Sequence, residues 1–187
     1  VYNPKTGETW MHKNLGATQV ATSPTDTAAY GDLYQWGRLT DGHEKRTSST
    51  TTNVGNTNIP GHANFIVNTP GDDWRSPKND NLWQGVSGVN NPCPSGYRLP
   101  TETEWDAERA SWSSDDPAGA FASPLKLPAA GTRSQINGSL GNVGSIGFYW
   151  SSNVDGANSR YLDFSIFSAN IFSRSRAGGL SVRCIKD

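Results

Sequence analysis

The segment YLDFSIF, residues 161–167, decides the fold class of this 187-residue chain. Apolar and polar residues alternate along it, which is typical of a β-strand with one face in the core and the other toward solvent. Three residues share the predicted core face: Leu162, Phe164 and Ile166. Four residues share the predicted outer face: Tyr161, Asp163, Ser165 and Phe167.

The end of the chain repeats this alternation. Three residues are predicted to face inward: Leu180, Val182 and Cys184. Two are predicted to face outward: Ser181 and Arg183. Short antiparallel strands with one buried face produce such a pattern. The apolar side chains predicted to lie outside the core indicate a contact surface, and they are Phe167, Ile171 and Phe172.

The clearest helix signal follows Pro100. Thr101 can accept a hydrogen bond from the first turn, and Glu104 stands three residues later, as in a capping box. The helix is predicted to continue to Trp112, and a further helical turn is predicted over residues 118–121. Capping also explains the acidic start of this helix, so we do not assign its carboxylates to a metal site.

Composition favours one α+β domain, residues 1–187, with few helices and long loops. Hydrophobic residues make up 34% of the chain, and 20 Gly and 11 Pro indicate many turns, while seven Trp can fill a core. Residues from about 41 to 83 are mostly Thr, Ser, Asn, Gly and Pro around an apolar island at 65–67. We predict a long surface excursion there, pinned by Trp74 and Trp83.

Charge and hydropathy exclude two classes of partner. The formal net charge is −1 and the pI is about 6.3, so the chain has no general attraction for nucleic acid or an anionic membrane. No apolar run reaches the roughly 18 residues of a membrane helix, so we predict no membrane insertion.

The two cysteines, Cys93 and Cys184, leave two alternatives open. They form a long-range disulfide, or they are reduced and buried. The three histidines, His12, His43 and His62, are spread over different loops, so we predict no metal centre from them. No cofactor is predicted, although a structural calcium at residues 72–73 or 115–116 stays open because carboxylate oxygens suit it.

Three parts of the chain carry a family resemblance: WMHKNLGA at 10–17, NPCPSGYRLPTE at 91–102, and FYWSS at 148–152 together with LSVRCIKD at 180–187. They resemble the Fibrobacter succinogenes major paralogous domain, a branch of the C-type-lectin-like fold related to formylglycine-generating enzymes. Within that branch the tail is similar to the variable proteins of diversity-generating retroelements. In those proteins, adenine-directed mutagenesis rewrites a C-terminal segment, here about residues 142–187.

The residue types of the tail agree with this resemblance. An AAC codon mutated at its adenines never encodes Lys, Glu, Gln, Met or Trp, and none of these five types occurs from Ser151 to Gly179. These five types make up 23 of the 187 residues. If residues were drawn at random from this composition, a stretch of 29 without any of the five would occur only about 2% of the time.

The resemblance also implies which residues are displayed and diversified. Ile166 and Ile171 are left open, because alternation or packing could bury either, and Asp155 and Gly178 could equally be ordinary turn residues. The positions carried over from the family pattern are Ile146, Phe148, Asp155, Asn158, Tyr161, Asp163, Ser165, Phe167, Ser168, Asn170, Phe172, Ser173, Arg174, Ser175 and Gly178. Stability is assigned to a separate frame, which consists of Trp10, Leu15, Tyr34, Trp36, Leu99, Trp105, Trp150, Leu162, Phe164, Val182 and the two cysteines.

The function that the resemblance implies is recognition without catalysis. We expect a diversified surface that binds a protein or glycan receptor on a target cell, as in a phage tail-fibre tip or a surface adhesin. Its location would be the virion surface or the outside of a cell, and a homo-oligomer would raise avidity. Two alternatives stay open: a diverged oxidoreductase of the formylglycine-generating type, and an adhesin with a fixed carbohydrate site. The Glu-Pro-Asn, Gln-Pro-Asp and Trp-Asn-Asp triplets of calcium-dependent lectins do not occur.

Overall fold

Short strands dominate the computed structural model, which describes residues 1–187, and they confirm a sheet-rich α+β architecture with few helices. The two helices are α1 (Glu102–Ala110) and α2 (Pro117–Ala122). The strands are β1 (Tyr2–Asn3), β2 (Glu8–Thr9), β3 (Tyr34–Gln35), β4 (Thr50–Thr51), β5 (Phe65–Ile66), β6 (Tyr97–Arg98), β7 (Thr132–Arg133), β8 (Leu140–Gly141), β9 (Gly147–Asp155), β10 (Asn158–Phe164), β11 (Ala169–Ser175), β12 (Gly179–Leu180) and β13 (Ile185–Lys186).

The longest strands form an antiparallel sheet in the order β11-β10-β9. The alternation in residues 161–167 is correct as far as Phe164, where β10 ends. There the Ser165 N–H donates to the Ser168 carbonyl, 2.9 Å away, and closes a hairpin. The prediction that Ile166 faces the core is therefore wrong: it lies in the turn and is 75% exposed.

Each face of this sheet contributes to a hydrophobic cluster. Leu162 and Phe164 are fully buried on the side of α1, in a cluster with Trp105. Trp150 and Tyr161, on the other side, join a second cluster that includes Trp36. The sheet therefore lies between the two hydrophobic clusters. Except for half-buried Leu15, every non-cysteine residue assigned to the frame is buried.

Helix α1 begins as predicted. The Thr101 side chain accepts from the Glu104 N–H, and the Glu104 carboxylate accepts from the Thr101 N–H, so both halves of the capping box are present. The helix ends at Ala110 rather than at Trp112. The Trp112 indole instead donates to the Glu108 carboxylate, 3.1 Å away, and its ring meets that of Phe164 edge-on. Helix α2 confirms the second helical prediction.

The excursion at residues 41–83 is a loop that adds to the core. Trp74 and Trp83 pin it as predicted, since both are fully buried. The apolar island at 65–67 supplies β5, whose Phe65 and Ile66 are also buried. The Trp74 indole donates to the Trp36 carbonyl, 2.7 Å away, so the loop is tied to the frame by a buried hydrogen bond. The apolar residues of the excursion are therefore part of the core, while its polar residues run along the surface.

The last strands differ from the alternation in one respect. Ser181 and Arg183, predicted to face outward, are both buried. The Arg183 guanidinium donates to the Asn14 side-chain oxygen, 2.9 Å away, and to the Leu125 carbonyl, 2.7 Å away. Burial lowers the pKa of Arg183 to about 10. The segment passes between layers of structure, so both of its faces are covered.

Cys93 and Cys184 are joined by a disulfide that closes a loop of 91 residues. The bond ties the segment before α1 to the strand region at the end of the chain. It uses both thiols, so neither is available as a metal ligand. Such a link stabilises the fold by restricting the unfolded chain.

Candidate functional site

The predicted variable residues meet on one side of the β9–β11 sheet. In the strand register, Asp163 lies between Phe148 on β9 and Asn170 on β11. One step along, Tyr161 lies between Trp150 and Phe172. We call this side the open face, and define it by six residues: Phe148, Tyr161, Asp163, Asn170, Phe172 and Arg174.

Aromatic rings form the base of the open face. The Tyr161 ring is central, with its centroid 6.0 Å from that of Phe148, 6.1 Å from Trp150 and 6.3 Å from Phe172. Tyr161 is only 9% exposed, whereas Phe172 is 46% exposed. Burial raises the pKa of the Tyr161 hydroxyl, which makes no hydrogen bond within the chain. Phe148 is buried as well, so the prediction that Phe148 and Tyr161 are displayed is wrong: their rings lie beneath the exposed residues of this face, in the same cluster as Trp36.

Two opposite charges lie half-buried on these rings. The Arg174 guanidinium packs over the Phe148 ring, 5.6 Å from its centroid. Burial lowers the pKa of Arg174, and burial raises the pKa of Asp163 to about 6, although the arginine opposes that rise. Neither side chain forms a hydrogen bond or an ion pair with the rest of the chain, which is unusual for half-buried charges.

The hairpin between β10 and β11 extends the apolar part of this surface. Phe167 is 89% exposed, and its neighbour Ile166 also points into solvent. Asn170, which follows the turn, is exposed too. Ser165 and Ser168 flank the two apolar residues and are half-buried. The tip therefore presents two adjacent hydrophobic side chains at the end of the two strands that carry Asp163 and Phe172.

Two of the predicted variable residues, Asp155 and Ser173, lie on the other face of the sheet. They are therefore not displayed beside Tyr161. Ser173 accepts a hydrogen bond from Arg160, 2.9 Å away, and donates to the Asp155 carboxylate. Arg160 also pairs with Glu102 at the start of α1, at 2.8 Å. Ser173 and Asp155 thus belong to a polar network that joins the sheet to the helix.

The remaining predicted positions lie at the margins. Ile146 is half-buried against the core, and Asn158 is half-buried at the turn between β9 and β10. Ser175 and Gly178 are buried, so neither is displayed, and Gly178 lies in the turn between β11 and β12, which is the alternative left open for it. The Ser175 hydroxyl donates to the Asp72 carbonyl, 2.9 Å away. Ile171, which was left open, packs partly against the α1 side.

One group has the composition of a metal site: Asp41, His43 and Glu44, whose ligand atoms lie within 4.8 Å of one another. Its imidazole is already engaged. His43 Nε2 accepts from the Gln35 N–H, 3.1 Å away, so Nδ1 carries the proton and donates to Asp41, 2.7 Å away. Burial lowers the pKa of His43 to about 4. This arrangement fixes the loop and leaves neither ring nitrogen free for a metal.

Three of the four aspartates considered for calcium bond to the protein, and the exception is Asp72, whose carboxylate is exposed. Asp73 lies 3.6 Å from the Arg176 guanidinium, and burial raises its pKa to about 6. Asp115 pairs with Arg109 at 3.0 Å. Asp116 accepts from the Gly119 N–H and caps α2, which lowers its pKa. The sequence pattern missed the role of Asp73 because Arg176 is distant in sequence, whereas the partners of Asp115 and Asp116 lie within six residues of them.

The structure's clefts lie away from the open face. Three are present, with volumes of about 240, 300 and 270 Å³. Two are lined by residues around the end of α1, and the third lies between the start of α1 and Ile171 on the opposite side of the sheet. The open face is therefore shallow, a shape that suits a large partner better than a small enclosed molecule.

Comparisons with protein-family models, with curated proteins and with solved structures found no match. Neither helix combines the length and the apolar character that crossing a bilayer requires.

Proposed function

We propose that this chain is a non-catalytic binding module of the C-type-lectin-like fold, and that its open face binds a protein or glycan receptor on a target cell. One observation carries the proposal. Tyr161, Asp163 and Arg174 converge on one surface with polar groups that the chain itself leaves without partners. A half-buried charge without a partner is unfavourable, and a receptor that supplies the partner removes that cost.

The aromatic base suits the same role. Binding surfaces are enriched in aromatic residues and arginine, because these side chains bury large areas with few rotatable bonds. Phe172 and Phe167 supply exposed rings, and Tyr161 supplies a hydroxyl on a ring that packing already holds. Arg174 and Asp163 would then select receptors by charge, since each rejects a like charge on the partner.

We further propose that the open face is diversified, as in the variable proteins of diversity-generating retroelements. Such a protein must keep its fold while its surface residues are replaced. The division between the open face and the buried frame supports this, because Leu162 and Phe164 hold β10 to α1 while Asp163 between them faces outward. Display on a virion or cell surface, in several copies, would raise the avidity of a modest single contact. The proposed module works without a cofactor.

A paired library tests the tolerance that diversification requires. In the first library, Asp163, Asn170, Phe172 and Arg174 receive codons in which each adenine of AAC is replaced by every base. In the second, the same codons replace four residues of the same strands on the opposite face: Arg160, Leu162, Phe164 and Ile171. The readout is the fraction of displayed variants that resist a protease.

We expect most members of the first library and few of the second to resist cleavage, because only the second replaces side chains that are buried in a core. Equal survival of the two libraries would contradict the proposed division. Folded members of the first library should then yield binders when selected against a panel of purified surface proteins and immobilised glycans. A library that folds but never yields a binder above the level of the second would argue against recognition by this face.

The diversification itself has a separate test in the genome. A near-copy of the segment that encodes residues 142–187 should lie beside a reverse transcriptase gene. The two copies should differ only where the near-copy has adenine. Differences at other bases, in equal number, would contradict a history of adenine-directed mutagenesis while leaving a fixed binding surface in place.

A further inference from the structure

The three-stranded sheet has one covered edge and one open edge. On the β9 side, the Trp150 N–H donates to the Ser181 carbonyl, and the Ser181 N–H donates to the Phe148 carbonyl, both at 3.0 Å. That edge is thus continued by the segment after β12. On the other side β11 is the last strand, with β10 as its only neighbour. The backbone groups of β11 that point away from β10 have no strand beside them.

The hairpin identifies which groups these are. Since Ser165 and Ser168 form a hydrogen-bonded pair, bonded and non-bonded pairs alternate along the two strands from that point. Asn170, Phe172 and Arg174 consequently direct their backbone N–H and C=O groups to β10. The groups of Ala169, Ile171 and Ser173 point outward, and no other segment of the chain accepts from or donates to them.

β11 also lacks the features that usually protect an open edge. Such edges are kept from pairing by prolines, lysines, bulges or short length. β11 is seven residues long, contains no proline or lysine, carries one charge, Arg174, and keeps an unbroken register with β10. Its own Phe172 side chain is exposed, and so is that of Phe167 in the turn before the strand. The edge from Ala169 to Ser173 is therefore available to another strand, whereas the Asp72 carbonyl lies against the Ser175 end.

We propose that two copies of this chain pair through β11 as antiparallel strands, with the two-fold axis at Ile171, to form a continuous six-stranded sheet. A strand with an open edge can pair with another strand that also has an open edge, and β11 of a second copy is such a strand. In this register Ile171 faces Ile171 of the second copy, and Ala169 faces Ser173. The outward donors and acceptors of each strand are then matched by those of the other.

Side chains on the open face fit the same register. Arg174 lies opposite Ser168 of the second copy, so the two arginines do not face one another. The two Phe172 side chains are diagonal neighbours across the axis, about 7–8 Å apart, which is within reach for aromatic rings. Each exposed phenylalanine thus gains an apolar neighbour.

The α1 helices do not prevent this pairing. Each α1 contacts all three strands of its own sheet, so it lies over the middle strand, β10. The two β10 strands would be three strand spacings apart, about 14 Å, whereas packed helices need about 8–10 Å. An axis perpendicular to the sheet places both open faces on the same side. The dimer would present two binding surfaces together, through backbone bonds that do not depend on the displayed side chains.

Sedimentation equilibrium of the intact protein from about 1 to about 200 µM tests the proposal. We expect a monomer–dimer equilibrium that Ile171→Pro weakens at least tenfold. The Ile171 N–H points outward, so proline is compatible with the folded edge but removes a donor from the interface. Ile171→Val keeps the N–H and should associate like the original chain.

Ser173→Pro repeats the test at a second outward N–H, with Ser173→Ala as its control, in case Ile171→Pro fails to fold. Amide hydrogen exchange needs no variant: the N–H groups of Ala169, Ile171 and Ser173 should exchange more slowly at high than at low protein concentration. A monomer throughout the range, or a dimer that folded proline variants leave intact, would overturn the proposal. Exchange at these amides that does not change with concentration would overturn it too.

Discussion

The two faces of the β9–β11 sheet are made from the same strands and differ in how completely the chain satisfies them. On the α1 side, Leu162 and Phe164 are buried, and Arg160 pairs with Glu102 and Ser173. On the open face, Arg174 and Asp163 have no partner within the chain. The comparison teaches that one strand can stabilise a core with one set of side chains and leave the next set for the proposed recognition, because successive side chains point in opposite directions.

The largest effect should come from replacing the same residue type on the two faces. Phe164→Ala removes a ring that contacts Trp112 and Tyr149 in a closed core, and we expect a loss of about 3–5 kcal/mol in the free energy of unfolding. Phe172→Ala, on the open face, should change the melting temperature by no more than about 2–4 °C. Urea and thermal unfolding measure both. Similar losses at the two positions would break the comparison.

A smaller effect should separate the two arginines. Arg160→Ala breaks a pair that is partly exposed to solvent, so we expect a loss of about 1 kcal/mol or less. Arg174→Ala breaks no hydrogen bond or ion pair and loses only the contact of the guanidinium with the Phe148 ring, so it should cost about 0.5 kcal/mol or less. The same unfolding measurements apply. Greater destabilisation by Arg174→Ala than by Arg160→Ala would show that the open face is also needed for the frame.

The pH dependence of stability should reveal the unpaired carboxylate. Burial raises the pKa of Asp163 to about 6 in the folded protein, above its unfolded value of about 3.9. The folded state therefore binds more protons between these values, and this group's contribution to stability falls as pH rises from about 4 to about 6. Asp163→Asn should remove that fall.

His43 changes stability in the opposite direction over a similar range, because burial lowers its pKa to about 4. The quantity to measure is therefore the difference in unfolding free energy between Asp163→Asn and the original chain, at several values of pH, in which the contribution of His43 cancels. The variant should gain relative stability from pH 4 to pH 7, about the range of the titration. A difference that does not change with pH would mean that Asp163 has a partner or full solvation.

The smallest effect on stability should come from the hairpin tip. Phe167→Ser replaces a side chain that is 89% exposed, so stability should change by less than about 0.5 kcal/mol. Binding to a receptor selected with the open-face library should nonetheless weaken, because the exposed ring is an apolar anchor. Phe121→Ser, at a partly buried position on α2 and outside the open face, is a control that should leave binding unchanged. Unchanged binding after Phe167→Ser would limit the contact surface to the strands.

Local patterns predicted the elements whose physics is local. The capping box at Thr101 and Glu104 requires only residues three apart, and the alternation in β10 requires only the chain's own geometry. Both were confirmed. Ile166 was assigned to the wrong side because the strand ends at a hairpin bond between Ser165 and Ser168, and no local pattern marked that turn.

The same distinction applies to the candidate site. Tyr161 and Asp163 were correctly predicted to share a face, but the burial of Tyr161 under Phe148, Trp150 and Phe172 depends on neighbouring strands. Ser173 was predicted to be displayed, and it instead joins Arg160 and the helix side. Which of two faces a residue on β11 occupies depends on the register with β10, which is a long-range property.

By itself, the amino-acid sequence determined the sheet-rich class, the two helices, the core residues of β10 and a tail that lacks Lys, Glu, Gln, Met and Trp from Ser151 to Gly179. Periodicity and capping act over a few residues, so they can be read along the chain. Only the tertiary structure decided that Arg183 is buried among carbonyls, that Cys93 meets Cys184, and that Arg174 and Asp163 remain unpaired on one surface. Burial and pairing are decided by which distant segments come together, and that information becomes visible only when the chain has folded.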